Sequence, residues 1–225
     1  MRSLPLYDRF AIWSRLLAKV LVMSGTKQVF YWPFVCDKEL FKPAVIDKEF
    51  GDDCLDETYK SDVCFVGTWD RKREKYLTEL AFRVWEIDLK IWGDGWKENL
   101  AKDSTLLKYV QGGALKPQEI SKALSLAKIV INFLRDQNFT SHNMRTFEAA
   151  SCGAFLLTER SDEQSKELFV EDESIACFSG MDEMCRKVEF YLKKKDERAR
   201  IAKAALSRSQ EFSNAEQLFK ELMHF

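Results

Sequence analysis

The residues best equipped for chemistry sit in one segment, residues 138–148 (NFTSHNMRTFE). It carries amides, hydroxyls, a histidine, an arginine and a glutamate, and it runs directly into a helical pattern. Backbone N–H groups at a helix start, reinforced by the dipole, attract a phosphate, and Arg145 adds a full positive charge. Asn143 and Thr146 stand at the same helix start, and Glu148 is placed to accept hydrogen bonds from sugar hydroxyls. A plainer reading uses the same residues: Asn143 or Thr146 caps the helix, and Glu148 is a first-turn acid that answers the dipole. His142 could bond a phosphate oxygen or a reacting sugar, or brace the loop.

Other chemistries find little to work with. The chain has no G-x-x-x-x-G-K-[ST] and therefore no P-loop. Gly93-x-Gly95 lacks a third glycine because Glu98 stands there, which leaves a weak dinucleotide fingerprint. G-x-S-x-G is absent, and no two aspartates are spaced as Asp-x-Asp to clamp a metal. Two histidines, at 142 and 225, supply neither a nucleophile triad nor a metal site, so no metal is expected. Six cysteines form no Cys-x-x-Cys; Cys64, Cys152 and Cys177 lie in apolar stretches, as reduced thiols that act as small hydrophobes do.

Positioning such a segment requires a scaffold, and the chain is long enough to build one. Its 225 residues carry 35 Lys+Arg against 36 Asp+Glu, a balance unlike that of a dedicated nucleic-acid or membrane-surface binder. Hydrophobic content of 46% excludes a disordered chain, and no apolar run reaches the ~18 residues of a membrane span. A cytoplasmic protein with no nucleic-acid partner is the expectation.

Residues 1–60 read as a lead-in: an amphipathic stretch at 13–23, a Ser24-Gly25 break, a strand at 29–35 limited by Pro33, and an exposed acidic connection at 47–62. From residue 61 strands and helices alternate. Strands are expected at 63–66, 87–92, 128–134, 154–157 and 175–178. Helices are expected at 71–84, from Pro117, at 145–152 with Gly153 as the terminator, at 181–192 and at 197–206. A last helix opens on the capping box Ser213-x-x-Glu216. This alternation predicts an α/β fold, a Rossmann-like parallel sheet with helices on both faces. Ligands bind such sheets at the carboxyl ends of the strands, which singles out the loops at 67–73, 93–97 and 135–148.

Several strings, in order from about residue 29 to about 204, resemble the CgeB-like branch of the group-1 glycosyltransferases: YWPFVCDKELFKP, DVCFVGTWDRKREKYLTELA, KIWGDGW and AKIVINF…NMRTFEAASCGAFLLTE. The resemblance implies the C-terminal half of a GT-B fold, with residues 61–225 holding a nucleotide-diphosphate sugar as donor and no further cofactor. It implies that Glu148 binds the donor ribose and that Gly67 and Arg73 lie at the diphosphate. His142, Asn143, Arg145 and Thr146 complete the implied donor site, and Gly153 packs the following strand. Retaining members often carry a second glutamate eight positions earlier, and here that position is Thr140. No catalytic base is assigned. Sugar transfer without a metal is implied, with an acceptor-binding domain or partner chain needed for activity. The alternative is a non-catalytic domain of glycosyltransferase descent that binds a nucleotide or a partner.

Overall fold

The computed structural model describes residues 7–44, 57–138, 140–212 and 220. Among these described residues, eight strands fall into two sheets. The larger is six-stranded and wholly parallel, built from β3 (Ser61–Val66), β4 (Leu89–Trp92), β5 (Val110–Gly112), β6 (Ala127–Asn132), β7 (Leu156–Glu159) and β8 (Ala176–Phe178). Its order is β5-β4-β3-β6-β7-β8. Growth from β3 toward one edge thus reverses at β6 toward the other, and a crevice opens between these two strands at their carboxyl ends.

The central strands are apolar on both sides because both faces are covered. Val63 and Phe65 enter one core and Cys64 the other, and Ile129, Val130 and Ile131 divide in the same way. On the first face lie α2 (Arg71–Arg83), which buries Leu77 and Leu80, and α6 (Met181–Leu192), which buries Met184, Cys185 and Val188. On the second lie α4 (Pro117–Leu126) and α5 (Met144–Ser151). The long α7 (Lys195–Glu211) contributes Ile201 to one core and Ala205 to the other. Helices on both faces of a parallel sheet agree with the alternation in the sequence. Cys64, Cys152 and Cys177 are buried free thiols.

Local signals explain the helix limits. Asp70 caps α2, its carboxylate accepting from the Arg73 amide at 2.9 Å. Pro117 opens α4, and the Glu119 carboxylate accepts from the Lys116 amide at 2.8 Å. Gly153 ends α5 at φ +65°; its amide and that of Ala154 return to the carbonyls of Ala150 and Ala149, a Schellman closure. A turn of helix, α3 (Trp96–Asn99), follows β4. α7 is longer than the expected 197–206, and the capping box at 213–216 lies outside the described residues.

The lead-in differs from expectation. It forms a small parallel sheet of β1 (Phe10–Ile12) and β2 (Val29–Tyr31), joined by α1 (Arg15–Met23). β2 stops at Tyr31 instead of continuing to residue 35, since Pro33 has no amide for a ladder. α1 is apolar yet buries no residue: Val22 is 57% exposed and Met23 87%. The acidic connection is described only at its end, where Ser61 and Asp62 already belong to β3.

Candidate functional site

At the carboxyl end of β3 the chain turns through Gly67 and Thr68 against the end of β4. The approach is close: a Cβ on Gly93, at φ +141°, would stand 2.1 Å from the Gly67 carbonyl oxygen. The Gly67 amide donates to the Trp92 carbonyl at 2.8 Å, and the Trp96 indole donates to the Gly67 carbonyl at 2.8 Å. The loop is thus fixed against the end of β4, at the switch point between β3 and β6 where a parallel sheet offers its ligand crevice.

Two arginines enter this crevice. Arg73, from the first turn of α2, is 8% exposed and donates Nη1–H to the Thr68 carbonyl at 2.7 Å. Its Nε lies 3.0 Å from the Asp70 carboxylate but without hydrogen-bond alignment. Burial lowers the Arg73 pKa, opposed by Asp70 and furthered by Arg135 and Arg145. The Arg135 and Arg145 guanidinium groups are therefore close enough to Arg73 to disfavour its charge, while arginine stays charged. Arg145, from the first turn of α5, pairs its Nη1 with Glu148 at 2.6 Å and reaches the Val66 carbonyl with Nη2 at 3.4 Å. Its Nε and Nη1 are buried without an aligned acceptor.

α5 starts without a side-chain cap. Asn143 occupies the cap position with extended backbone, but its amide turns inward to Asn132 at 3.1 Å and to the Phe133 carbonyl at 3.1 Å. Neither Asn143 nor Thr146 caps the helix, which corrects the plainer reading of this segment. Asn132 also donates to Thr158 at 3.0 Å.

The structure brings Gly67, Arg73, Arg145 and Glu148 together at this end of the sheet, and turns the Asn143 side chain to Asn132 and Phe133. It gives His142 and Thr146 other work. Thr146 is fully buried and donates to Gln164 at 3.2 Å. His142 is also fully buried, with both ring nitrogens occupied by protein groups. Nε2 accepts from the Phe34 amide at 2.9 Å, so the ring proton of the neutral imidazole sits on Nδ1, 3.1 Å from the Glu163 carboxylate. In this arrangement His142 has no nitrogen left for a phosphate.

Glu163 is the hub of that arrangement. Besides His142 it accepts from the Arg15 amide at 3.0 Å, the Tyr31 hydroxyl at 2.8 Å and the Ser141 hydroxyl at 2.9 Å. Burial opposes its charge, but the hydrogen bonds from His142, Arg15, Tyr31 and Ser141 prevail and hold its pKa below the usual value. Burial, and then the bond to Glu163, push the Tyr31 phenol up.

Four residues at this edge escaped sequence reasoning. Thr68 is a shared acceptor for Arg73 and for Arg135, whose Nη2 donates to its hydroxyl at 2.7 Å. Lys72 and Glu159 pair at 2.5 Å, and Glu159 also accepts from the Leu134 amide at 2.9 Å. Their signal was position alone: Arg135 follows β6 by three residues, at the sheet edge where ligands bind. Among the described residues, no group of three His, Cys, Asp or Glu side chains is arranged to hold a metal ion. None of the helices they form is long and apolar enough to cross a membrane.

A buried cationic crevice beside an uncapped helix start, under a glycine-tight turn, suits an anion with several oxygens. Solved structures share the fold. The sucrose-phosphate synthase of Thermosynechococcus elongatus superposes with a TM-score of 0.71 at 16% identity, over 96% of this chain and 59% of its own. Anabaena Alr3699/HepE, in complex with UDP-glucose, gives 0.71 at 14% identity, over 96% of this chain and 63% of that one. The C-terminal domain of the group-1 glycosyl transferase LpcC from Francisella tularensis gives 0.59 at 14% identity, over 80% of this chain and 99% of its own. The chain spans about three-fifths of the length of the synthase and of HepE. No curated protein matches it. The architecture is that of a Rossmann-like half of the GT-B fold. A family model described as glycosyl transferase-like matches residues 71–224, and the chain belongs to that family.

Proposed function

We propose that residues 61–225 form the donor-binding half of a glycosyltransferase that takes its sugar from a nucleoside diphosphate. The observation that carries this reading is the meeting of Arg73 and Arg145 beside the uncapped start of α5, with guanidinium nitrogens of both lacking aligned acceptors. As the sugar departs, charge grows on the diphosphate, and preorganised cations and amides stabilise it without reorganising. Glu148 has a second carboxylate oxygen beyond the one facing Arg145 and would orient the ribose. The HepE neighbour, described with UDP-glucose, is consistent with such a ligand. The ordered strings favour a CgeB-like member, and the three cations favour a metal-independent diphosphate site.

The lead-in supports a further part of the reading. A two-stranded parallel sheet with a helix that has no fully buried residue is an incomplete layer. The isolated LpcC C-terminal domain covers only 80% of this chain, whereas the longer neighbours cover 96%. We assign residues 7–44 to the margin of an acceptor-binding half, whether from the same polypeptide or a partner. The alternative, a binding domain that never transfers sugar, also requires a covered α1 face, so turnover separates the two.

The test is a thermal-shift panel of uridine, guanosine, adenosine and thymidine diphosphates. A ligand at 100 times its Kd adds about 2.7 kcal/mol of stability. At least one diphosphate should stabilise the chain, equally in chelator, with little sugar transfer to any acceptor. No shift with any of the four refutes donor binding, and a shift abolished by chelator refutes the metal-free site.

A further inference from the structure

The cations at the crevice are not equally matched. Arg73 lies 3.0 Å from Asp70, Arg145 2.6 Å from Glu148 and Lys72 2.5 Å from Glu159. Arg135 is exposed, and among the described residues no carboxylate pairs with it. Its contact at the site is neutral, the Thr68 hydroxyl at 2.7 Å. The Thr68 carbonyl accepts from Arg73 at 2.7 Å, so two guanidinium groups hold one residue from opposite walls, one from α2 and one from the loop after β6.

This imbalance has a chemical consequence. An arginine already facing a carboxylate offers an anion hydrogen bonds and a charge partly offset by that carboxylate. An arginine on a hydroxyl offers both without that offset, and the hydroxyl is a weak competitor for a phosphate oxygen. We propose that Arg135 is a specificity-determining residue that selects a nucleoside diphosphate over the monophosphate by meeting the charge of the second phosphate. The inference rests on the donor-binding reading above and extends it to a residue that neither the helix start nor the glycine turn identifies. Because Arg135 is exposed, solvent screens it, and its effect should weaken in high salt.

The experiment is calorimetric titration of the full chain and its Arg135→Gln, Arg135→Lys and Thr68→Val variants. The probes are UDP and UMP, with the guanosine, adenosine and thymidine pairs in parallel. Arg135→Gln should weaken diphosphate binding about tenfold, the lower end for a charge-assisted hydrogen bond, and change monophosphate binding by less than about twofold. Arg135→Lys should restore part of the preference, and high salt should narrow the gap between wild type and Arg135→Gln. Thr68→Val removes the resting acceptor and should leave the preference for diphosphate intact. Equal losses on both nucleotides, or Thr68→Val reproducing Arg135→Gln, would show that Arg135 only braces the loop. If wild type binds none of the diphosphates, the donor-binding reading fails and this inference with it. If wild type prefers the diphosphate and Arg135→Gln keeps the same ratio, only the assignment of Arg135 fails.

Discussion

Replacing Glu148 by alanine should act on two quantities at once, and their separation tests the site. The side chains of Glu148 and Arg145 are 13% and 16% exposed and 2.6 Å apart. Losing the carboxylate leaves Arg145 with only its long contact to the Val66 carbonyl. Removing one partner of a fully buried pair costs about 3–5 kcal/mol, and partial exposure brings this nearer to about 1–3 kcal/mol. The ligand-free variant should therefore melt earlier in denaturant. Nucleotide binding loses a different contact: hydrogen bonds from ribose to a charged group are worth about 1.5–3 kcal/mol, or roughly 10- to 150-fold in Kd. Part of the stability should return with ligand, because the diphosphate gives Arg145 a new partner. The ribose contact is isolated by comparing ribonucleotide with 2′-deoxynucleotide in both proteins by calorimetric titration. The wild type should distinguish the two sugars and Glu148→Ala should distinguish them less. An earlier melt with unchanged preference for ribose would refute the ribose assignment and leave Glu148 as the counter-ion of Arg145.

Gly93→Ala should cost about 3 kcal/mol or more, since the added carbon meets the Gly67 carbonyl at 2.1 Å with φ at +141°; a denaturant midpoint close to wild type would contradict the described packing. Acid should weaken the fold through Glu183, whose pKa the Arg160 hydrogen bonds hold down from 4.5 to about 2. A carboxylate held low in the native state contributes fully above about 4.5, and that contribution disappears as pH falls toward 2. Glu183→Gln should accordingly flatten this part of the pH–stability curve, and an unchanged slope would argue against the Arg160–Glu183 pair.

How far the sequence reveals the fold depends on where each element gets its stability. β3 and β6 are legible because both faces are buried, which leaves the apolar runs around Val63 and Ile129. α4 and α5 are legible at Pro117 and Gly153, where backbone geometry restricts the residue. β5 is not: Val110–Gly112 has three residues, two of them Gln and Gly, and exists because it pairs with β4. β1 is hidden for the same reason, its partner β2 lying beyond α1. Gly67, Arg73, Arg145 and Glu148 could be gathered from the sheet-edge rule and the family strings together. Arg135 carries no periodicity that would mark it, and two partners of His142, Glu163 and Phe34, lie 21 and 108 residues away in the chain. Separations of that size become contacts only through the fold.

The Glu163 hub bears on how residues 7–44 can move. It joins the Arg15 amide and the Tyr31 hydroxyl to Ser141 and His142, and His142 in turn holds the Phe34 amide immediately before the start of α5. Swinging the lead-in away would strand several buried donors and acceptors, each at a cost of about 1–3 kcal/mol. The small sheet is therefore anchored, through Glu163 and His142, to the segment that leads into α5, the helix that carries Arg145 and Glu148.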